Sequence, residues 1–318
     1  MRRDPYLMAA LASAALPGAE PTRVQLLDDD GADLDVALVE DESGTRHVIS
    51  VPRSAAAGAD LEREAAALGL LARLAEPALG VRLPFAVPAV AGWTPLPEGG
   101  RAVVTTWVPG DEVDVADLRP GTLSTSLARA LAVVHDLPAA AVDDAGLPVW
   151  SASEVRGRRL SELDRAASTG RVPARLLARW ERGLEEVRWW RFSPVVVHGD
   201  LDGTRVLTDG RAVTGVTGWG SLSVGDPADD LGWLAAAAPT ESLDAVLAEH
   251  ASARHEPLDP ALAARARLAG EMALARYLLH GALLEDHDVL DDATAMLEDL
   301  DASLDDGDLL GDELGSGA

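Results

Sequence analysis

The densest run of chemically capable residues in this 318-residue chain is VVVHGDLDGTRVLTDGRAVTGVTGWGSLSVGDPADDLGWL, residues 195–234. Asp200 supplies a carboxylate able to accept a hydrogen bond from a hydroxyl, the first requirement of a general base. His198 lies two residues before it. Five residues after it stands Arg205, a permanent cation with donors only, which cannot ligate a metal ion. Gly218, just ahead of Trp219, brings no side chain at all. Asp226 and Asp230 close the run in GDPADDL. The stretch thus offers one hydroxyl-orienting acid beside a fixed positive charge.

Elements on both sides must hold this stretch in place. Asp4 followed by Pro5 marks a helix start, with a cap and then proline in the first turn. This favours a surface helix over an export signal for the apolar N-terminal run. Three strands are predicted next, at 22–28, 34–41 and 46–52, joined by the turns DDGAD and ESGT. A helix over 59–75 carries apolar residues at helical spacing, and strands are expected at 85–93 and 101–110. Beyond VPGDEV the pattern turns helical, at 122–138, 152–168 and 172–190. Short strands follow at 194–198, 204–208 and 212–217, then helices at 227–237, 240–253, 259–284 and 288–303. The acidic, glycine-rich tail DDGDLLGDELGSGA reads as flexible.

Residues 195–234 resemble the aminoglycoside and macrolide phosphotransferase family, in HGDL (His198–Leu201), Val206–Leu207 and GDPADDL (Gly225–Leu231). LARALAVVHDLP, VVTTWVPGDEV and VISVPRS with LEREAAAL are similar to the family's later helix, hinge, and third strand with its helix. The resemblance implies an α+β bilobal protein-kinase-like fold. An antiparallel β lobe with one helix would occupy 1–108, a mainly helical lobe 109–304, and a tail 305–318. It also implies roles. Asp200 takes the position of the base and His198 orders its loop. Asp226 and Asp230 brace the scaffold, and Glu64 matches the acid that holds a strand cation. His135 reads as a core histidine at a helix end, and the tryptophans mostly as packing residues.

Three positions depart from the family pattern. Arg205 stands where an asparagine would bind magnesium, Gly218 where an aspartate would do so, and Ser50 where a lysine would reach the nucleotide phosphates. The chain contains no Lys and no Asn anywhere. Arg53 falls on the opposite face of its strand if the period of two holds. The turn expected over the phosphates carries Asp28, Asp29, Asp30 and Asp33 with a single glycine, Gly31, a poor cradle for a polyanion. Phosphoryl transfer in such enzymes is mostly positioning and charge neutralisation. The reading is therefore a degenerate phosphotransferase, a pseudokinase that binds a small ligand or a partner, with no cofactor and no metal expected. Arg205 would either pair with Asp200 and close the site or bind phosphate directly. The alternative is a working ATP- and magnesium-dependent O-phosphotransferase that uses Asp200 as base and Asp202 as a substitute ligand, acting on an aminoglycoside- or macrolide-type substrate. A structural subunit with an empty cleft is the third possibility.

Composition narrows the partners. A net charge of −26 repels nucleic acid and anionic lipid. It is either a solvated acidic coat or an attraction for a cationic substrate. There is no Cys, which removes disulfides and thiolate chemistry. No stretch reaches the ~18 apolar residues of a membrane span, and the expected location is the cytoplasm.

Overall fold

Asp4 begins the first element as its residue type requires. Its carboxylate accepts hydrogen bonds from the Tyr6 and Leu7 N–H groups and caps helix α1, Pro5–Ala15. In the computed structural model, which describes residues 3–27, 33–257 and 259–304, this helix is no loose surface appendage. Met8, Ala12 and Ala15 are buried against a five-stranded sheet.

That sheet contains β1 (Pro21–Leu27), β2 (Leu34–Asp41), β3 (Arg46–Pro52), β4 (Val90–Pro95) and β5 (Arg101–Thr106), in the order β1-β2-β3-β5-β4. Every pairing is antiparallel. Alternation decides its faces. Ala37, Val39, Ile49, Val51, Ala102 and Val104 all point at α1 and form one buried cluster with it. The alternate residues, Ser50 among them, face the other way. Helix α2 (Ala55–Leu74) follows β3 and starts earlier than the predicted 59, because Ser54 caps it by accepting from Ala57 N–H. Its second half carries Leu68, Leu71 and Leu74 into a different cluster, shared with Phe85, Trp219 and the helical lobe. The helix also contacts β3 and β4, so it ties the sheet to the helical lobe.

The helical lobe comprises α3 (Thr122–His135), α4 (Ala139–Asp144), α5 (Ala152–Ser168), α6 (Ala174–Glu185), α7 (Gly232–Ala237), α8 (Thr240–Arg254), α9 (Leu262–Leu284) and α10 (His287–Ser303). Several expected elements are shorter than the sequence suggests. The predicted 172–190 helix stops at Glu185. The Glu186 carboxylate accepts from Arg188 N–H and the chain tightens into a 3-10 turn, Val187–Trp190. Trp189 and Trp190, both in this turn, are buried in one cluster with side chains of α5, α6, α9 and α10. The predicted 227–237 helix likewise splits into a 3-10 turn, Pro227–Asp230, and α7. The strand expected over 85–93 begins only at Val90, while Ala86 bridges to Gly215.

Between α6 and α7 lie four short strands rather than three, and they form no single sheet. Strand β7 (Val195–Val197) pairs with β10 (Ser223–Gly225). Strands β8 (Val206–Thr208) and β9 (Val213–Val216) pair with each other and with β6 (Asp111–Glu112). The result is an α+β bilobal fold in which two small ribbons clamp residues 198–205 at the lobe junction.

Candidate functional site

The loop that follows β7 is fixed from below by a buried carboxylate. Asp230 Oδ2 accepts from His198 N–H at 2.9 Å, and Oδ1 accepts from Gly199 N–H at 2.7 Å. His135 Nε2 donates to the same carboxylate at 3.1 Å, and its Nδ1 lies 2.8 Å from His250 Nε2. All these side chains are buried. Burial opposes ionisation of Asp230, but the His135 hydrogen bond, the neighbouring imidazoles and the Gly199 N–H outweigh it, so its pKa lies below the ordinary value. An ionised acid thus anchors two consecutive backbone N–H groups. Gly199 has φ +84°, and a Cβ there would lie 2.6 Å from Ser221 O. Only glycine lets the loop pass so close to the segment before β10.

His198 is wholly buried, and burial holds its imidazole below the ordinary pKa. Its Nε2 donates to Thr217 O at 2.8 Å, which leaves Nδ1 to accept from Asp200 N–H at 3.3 Å. Grouped with Asp200 by the sequence, it positions the loop backbone and does not face the cleft.

Asp200 does face outward, with its side chain 58% exposed. Its carboxylate is bonded to the Arg205 guanidinium, which also donates to the Asp200 carbonyl. Arg205 Nε lies 3.8 Å from Asp202 Oδ2. Asp202 is occupied as well. Its Oδ1 accepts from Thr204 N–H at 2.8 Å, Thr204 Oγ1–H at 2.6 Å and Arg205 N–H at 3.1 Å, and so closes the turn into β8. Burial works against the Arg205 charge, yet Asp200, Asp202 and Glu64 hold its pKa above the ordinary value. Glu64, from α2, accepts a hydrogen bond from Trp219 N–H, and burial pushes its carboxyl up despite that bond and the nearby Arg205. One guanidinium therefore serves three acids.

Gly218 explains why it fits. Its backbone is left-handed, φ +74° and ψ +42°. A Cβ at this position would lie 2.8 Å from Arg205 Cδ and 3.0 Å from Nε. The arginine side chain lies across the glycine in the space that a carboxylate at 218 would need.

Magnesium demands near-octahedral oxygen ligands at short range. Asp200 is bridged to a cation, Asp202 caps a turn, and Gly218 offers nothing. Among the described residues, no group of three or more His, Asp or Glu side chains is placed to hold a metal ion. The residues present do not fit the ion that the family resemblance implies.

At the strand position where the resemblance implies a cation, the chain has Ser50. Ser50 lies in β3, paired with Val36 and Val103, on the face turned away from α1. Arg53 lies beyond the strand's end, where Nε meets Asp35 Oδ1 at 3.1 Å beside Arg3, whose Nη1 lies 2.8 Å from Asp35 Oδ2. Asp35 is buried and in phase with the α1-facing residues. Arg53 is thereby committed to the far side of the sheet from Ser50. Of the acidic turn expected over the phosphates, residues 28–32 lie outside the described residues, as does the tail from 305 onward.

Two features escaped the sequence reading. Asp226 accepts from Ala228 N–H at 3.0 Å, and it also forms a buried two-bond pair with Arg265, at 2.8 and 3.1 Å. The second is a cavity of about 470 Å³ beside Asp200. Its walls include one face of α5 (Val155, Arg158, Arg159, Glu162). Its floor is the small-residue contact of α7 and α9 at Gly232 and Gly270. The i, i+3, i+4, i+7 spacing on α5 was legible as a helix face, but not which space it faced.

The sequence matches the phosphotransferase enzyme family over residues 24–270. It is 31% identical over 225 residues to viomycin phosphotransferase of Streptomyces vinaceus, covering 64% of this chain and 72% of that protein. A macrolide 2'-phosphotransferase type I superposes with a TM-score of 0.77 at 26% identity, over 92% of this chain and 96% of the other. The GDP complex of aminoglycoside 2'-phosphotransferase-IIIa gives the same TM-score at 21% identity over 94% and 99%, a likeness of fold. By this match, with the HGDL and GDPADDL segments at the lobe junction, the chain belongs to the aminoglycoside and macrolide phosphotransferase family.

Proposed function

We propose that this family member is a pseudokinase that keeps the bilobal scaffold and its ligand cavity without magnesium- and ATP-dependent phosphoryl transfer, and that it acts as a small-molecule-binding module. The observation that carries the reading is Arg205. Its guanidinium engages Asp200 while its stem covers Gly218. A fixed cation thus takes the place of the ion, and the acid that would orient a substrate hydroxyl is already paired. Ser50 adds a second deficit, since the triphosphate would meet a hydroxyl where the family uses a cation. Removing single electrostatic groups from sites of this kind typically lowers the rate by ~10²-fold or more, and groups that act as a unit need not multiply.

The test is thermal stability with ATP and magnesium, run beside an ATP-consumption assay over aminoglycosides, macrolides and simple amino sugars. A ligand that binds the folded state raises the melting temperature by mass action. The expected outcome is no magnesium-dependent rise and no acceptor-dependent turnover. ATP consumed in step with a phosphorylated acceptor overturns the proposal.

A further inference from the structure

We infer that the cavity beside Asp200 binds a zwitterion of the amino-acid type, with its ammonium group at Asp200 and Asp202 and its carboxylate at Arg158 and Arg276. The inference deepens the proposed small-molecule reading and rests on it in that Arg205 stays on Asp200. It names the ligand class of the same site.

The cavity as a whole is balanced, but its two charged walls are not. One wall is the loop after β7. There Asp200 and Asp202 line the space and share a single guanidinium, that of Arg205, bonded to Asp200 and 3.8 Å from Asp202. Glu64 draws on the same arginine from α2. Two lining carboxylates against one cation leave this wall negative. Arg63 also reaches the cavity, but it is bonded to Asp60 of its own helix and changes nothing in this balance.

The other wall is built by α5 and α9. Arg158, Arg159 and Arg276 line it together with Glu162 and Asp229. Arg159 lies 3.1 Å from Glu162 and is bonded to Asp229 as well. Arg276 reaches only Glu162, at 3.7 Å. Among the described residues, no carboxylate lies within ion-pair distance of Arg158, whose guanidinium stacks on the Trp150 ring, 4.2 Å from the centroid. Three guanidiniums against two carboxylates leave this wall positive.

The two surpluses face one space without cancelling. Burial, and then the like charge of Arg159, push Arg276 below its ordinary value, while Asp200 supports its charge from a distance. Among the described residues, no ion pair joins Asp200 or Asp202 to Arg158, Arg159 or Arg276. A ligand with one charge satisfies one wall and meets a like charge on the other, and such juxtapositions set specificity. A ligand carrying both charges satisfies both walls, through the short charge-assisted bonds that guanidinium and ammonium groups make to carboxylates. The volume of about 470 Å³ lies in the range of small-molecule sites. Trp233, Ala236 and Ala273 line it too. The Trp233 N–H is committed to Asp230 O at 3.0 Å, so its ring offers a ligand apolar surface.

The experiment is calorimetric titration of the full chain at pH 7 and 0.15 M salt with L-phenylalanine, 2-phenylethylamine and 3-phenylpropanoate. The three share a ring and a chain and carry both charges, the ammonium alone, or the carboxylate alone. Phenylalanine is expected to bind about tenfold more tightly than either analogue, the scale of one charge-assisted bond. This ranking needs no variant to fold. Arg158→Gln and Arg276→Gln should each weaken phenylalanine and phenylpropanoate by about three- to tenfold and leave phenylethylamine unchanged. Asp200→Asn should weaken phenylalanine and phenylethylamine but not phenylpropanoate. Arg129→Gln, outside the cavity, should alter none of them. A purely structural effect would move all three ligands alike. The inference is overturned if phenylalanine does not bind at millimolar concentration, or if either analogue binds as tightly. It is also overturned if the cavity variants, melting like the parent, change nothing or shift the three ligands equally. ATP consumption measured on the same samples separates the two ideas. Turnover with an acceptor defeats the pseudokinase reading whatever the ranking, whereas a failed ranking without turnover defeats this inference alone.

Discussion

Gly218→Ala probes the contact on which the functional reading depends. The substitution adds one methyl group at φ +74°, where an L-residue costs about 1–2 kcal/mol relative to glycine. It also places a Cβ 2.8 Å from Arg205 Cδ, so the arginine must swing away and release Asp200. That ion pair is worth only about 0.2–1 kcal/mol, since a 58% exposed carboxylate is well screened. In the parent the total loss should be about 1.5–3 kcal/mol, by adding these terms and a small residual overlap. In an Arg205→Ala background only the backbone cost remains, about 1–2 kcal/mol. The double-mutant cycle should therefore show a coupling of about 0.5–1 kcal/mol, read by urea unfolding or as a difference of roughly 1–2 °C in melting temperature. Equal penalties in the two backgrounds would refute the contact. The functional counterpart is Gly218→Asp combined with Arg205→Asn, where magnesium should raise the melting temperature of the double variant and of neither single one.

The remaining predictions concern the scaffold. Arg265→Met should destabilise by about 3–5 kcal/mol in chemical unfolding, because it leaves the 4%-exposed Asp226 carboxylate buried without its cation; a loss under 1 kcal/mol would contradict the pairing. Burial, then the charges of His135 and Arg254, lower His250 from 6.5 to about 3. Between those values the unfolded chain takes up a proton that the folded chain refuses, so stability falls as pH drops from 6.5 towards 3. The slope is up to about 1.4 kcal/mol per pH unit. His250→Gln should flatten the dependence of melting temperature between pH 6.5 and 5, and an unchanged slope counts against the buried neutral ring. Asp230→Ala should cost about 3 kcal/mol or more, since it strands the His198 and Gly199 N–H groups and His135 together, as urea unfolding would register.

Much of the architecture was legible because its signals are local. Asp4 with Pro5 read as a helix start, turns and composition marked the strands over 34–41 and 46–52, and HGDL with GDPADDL marked the loop and its brace. Legibility ended where neighbours in space rather than in sequence set the outcome. The helix expected over 172–190 stops at Glu185 and gives way to a 3-10 turn whose Trp189 and Trp190 join a core built by α5, α6, α9 and α10. The strands of 195–217 found partners at 111–112 and 223–225, separations no periodicity announces.

The residue types at 50, 205 and 218 follow from the sequence alone, and with them the departures from the family pattern on which the proposed reading rests. Chemistry of that kind belongs to single side chains: a guanidinium has no lone pair to offer, and glycine has no ligand. Where Arg205 goes and which acids it meets were decided by the packing of α2, α5, α7 and α9 around residues 198–205. A charge has a sign in the sequence, but whether it is balanced depends on distances that only the folded chain defines.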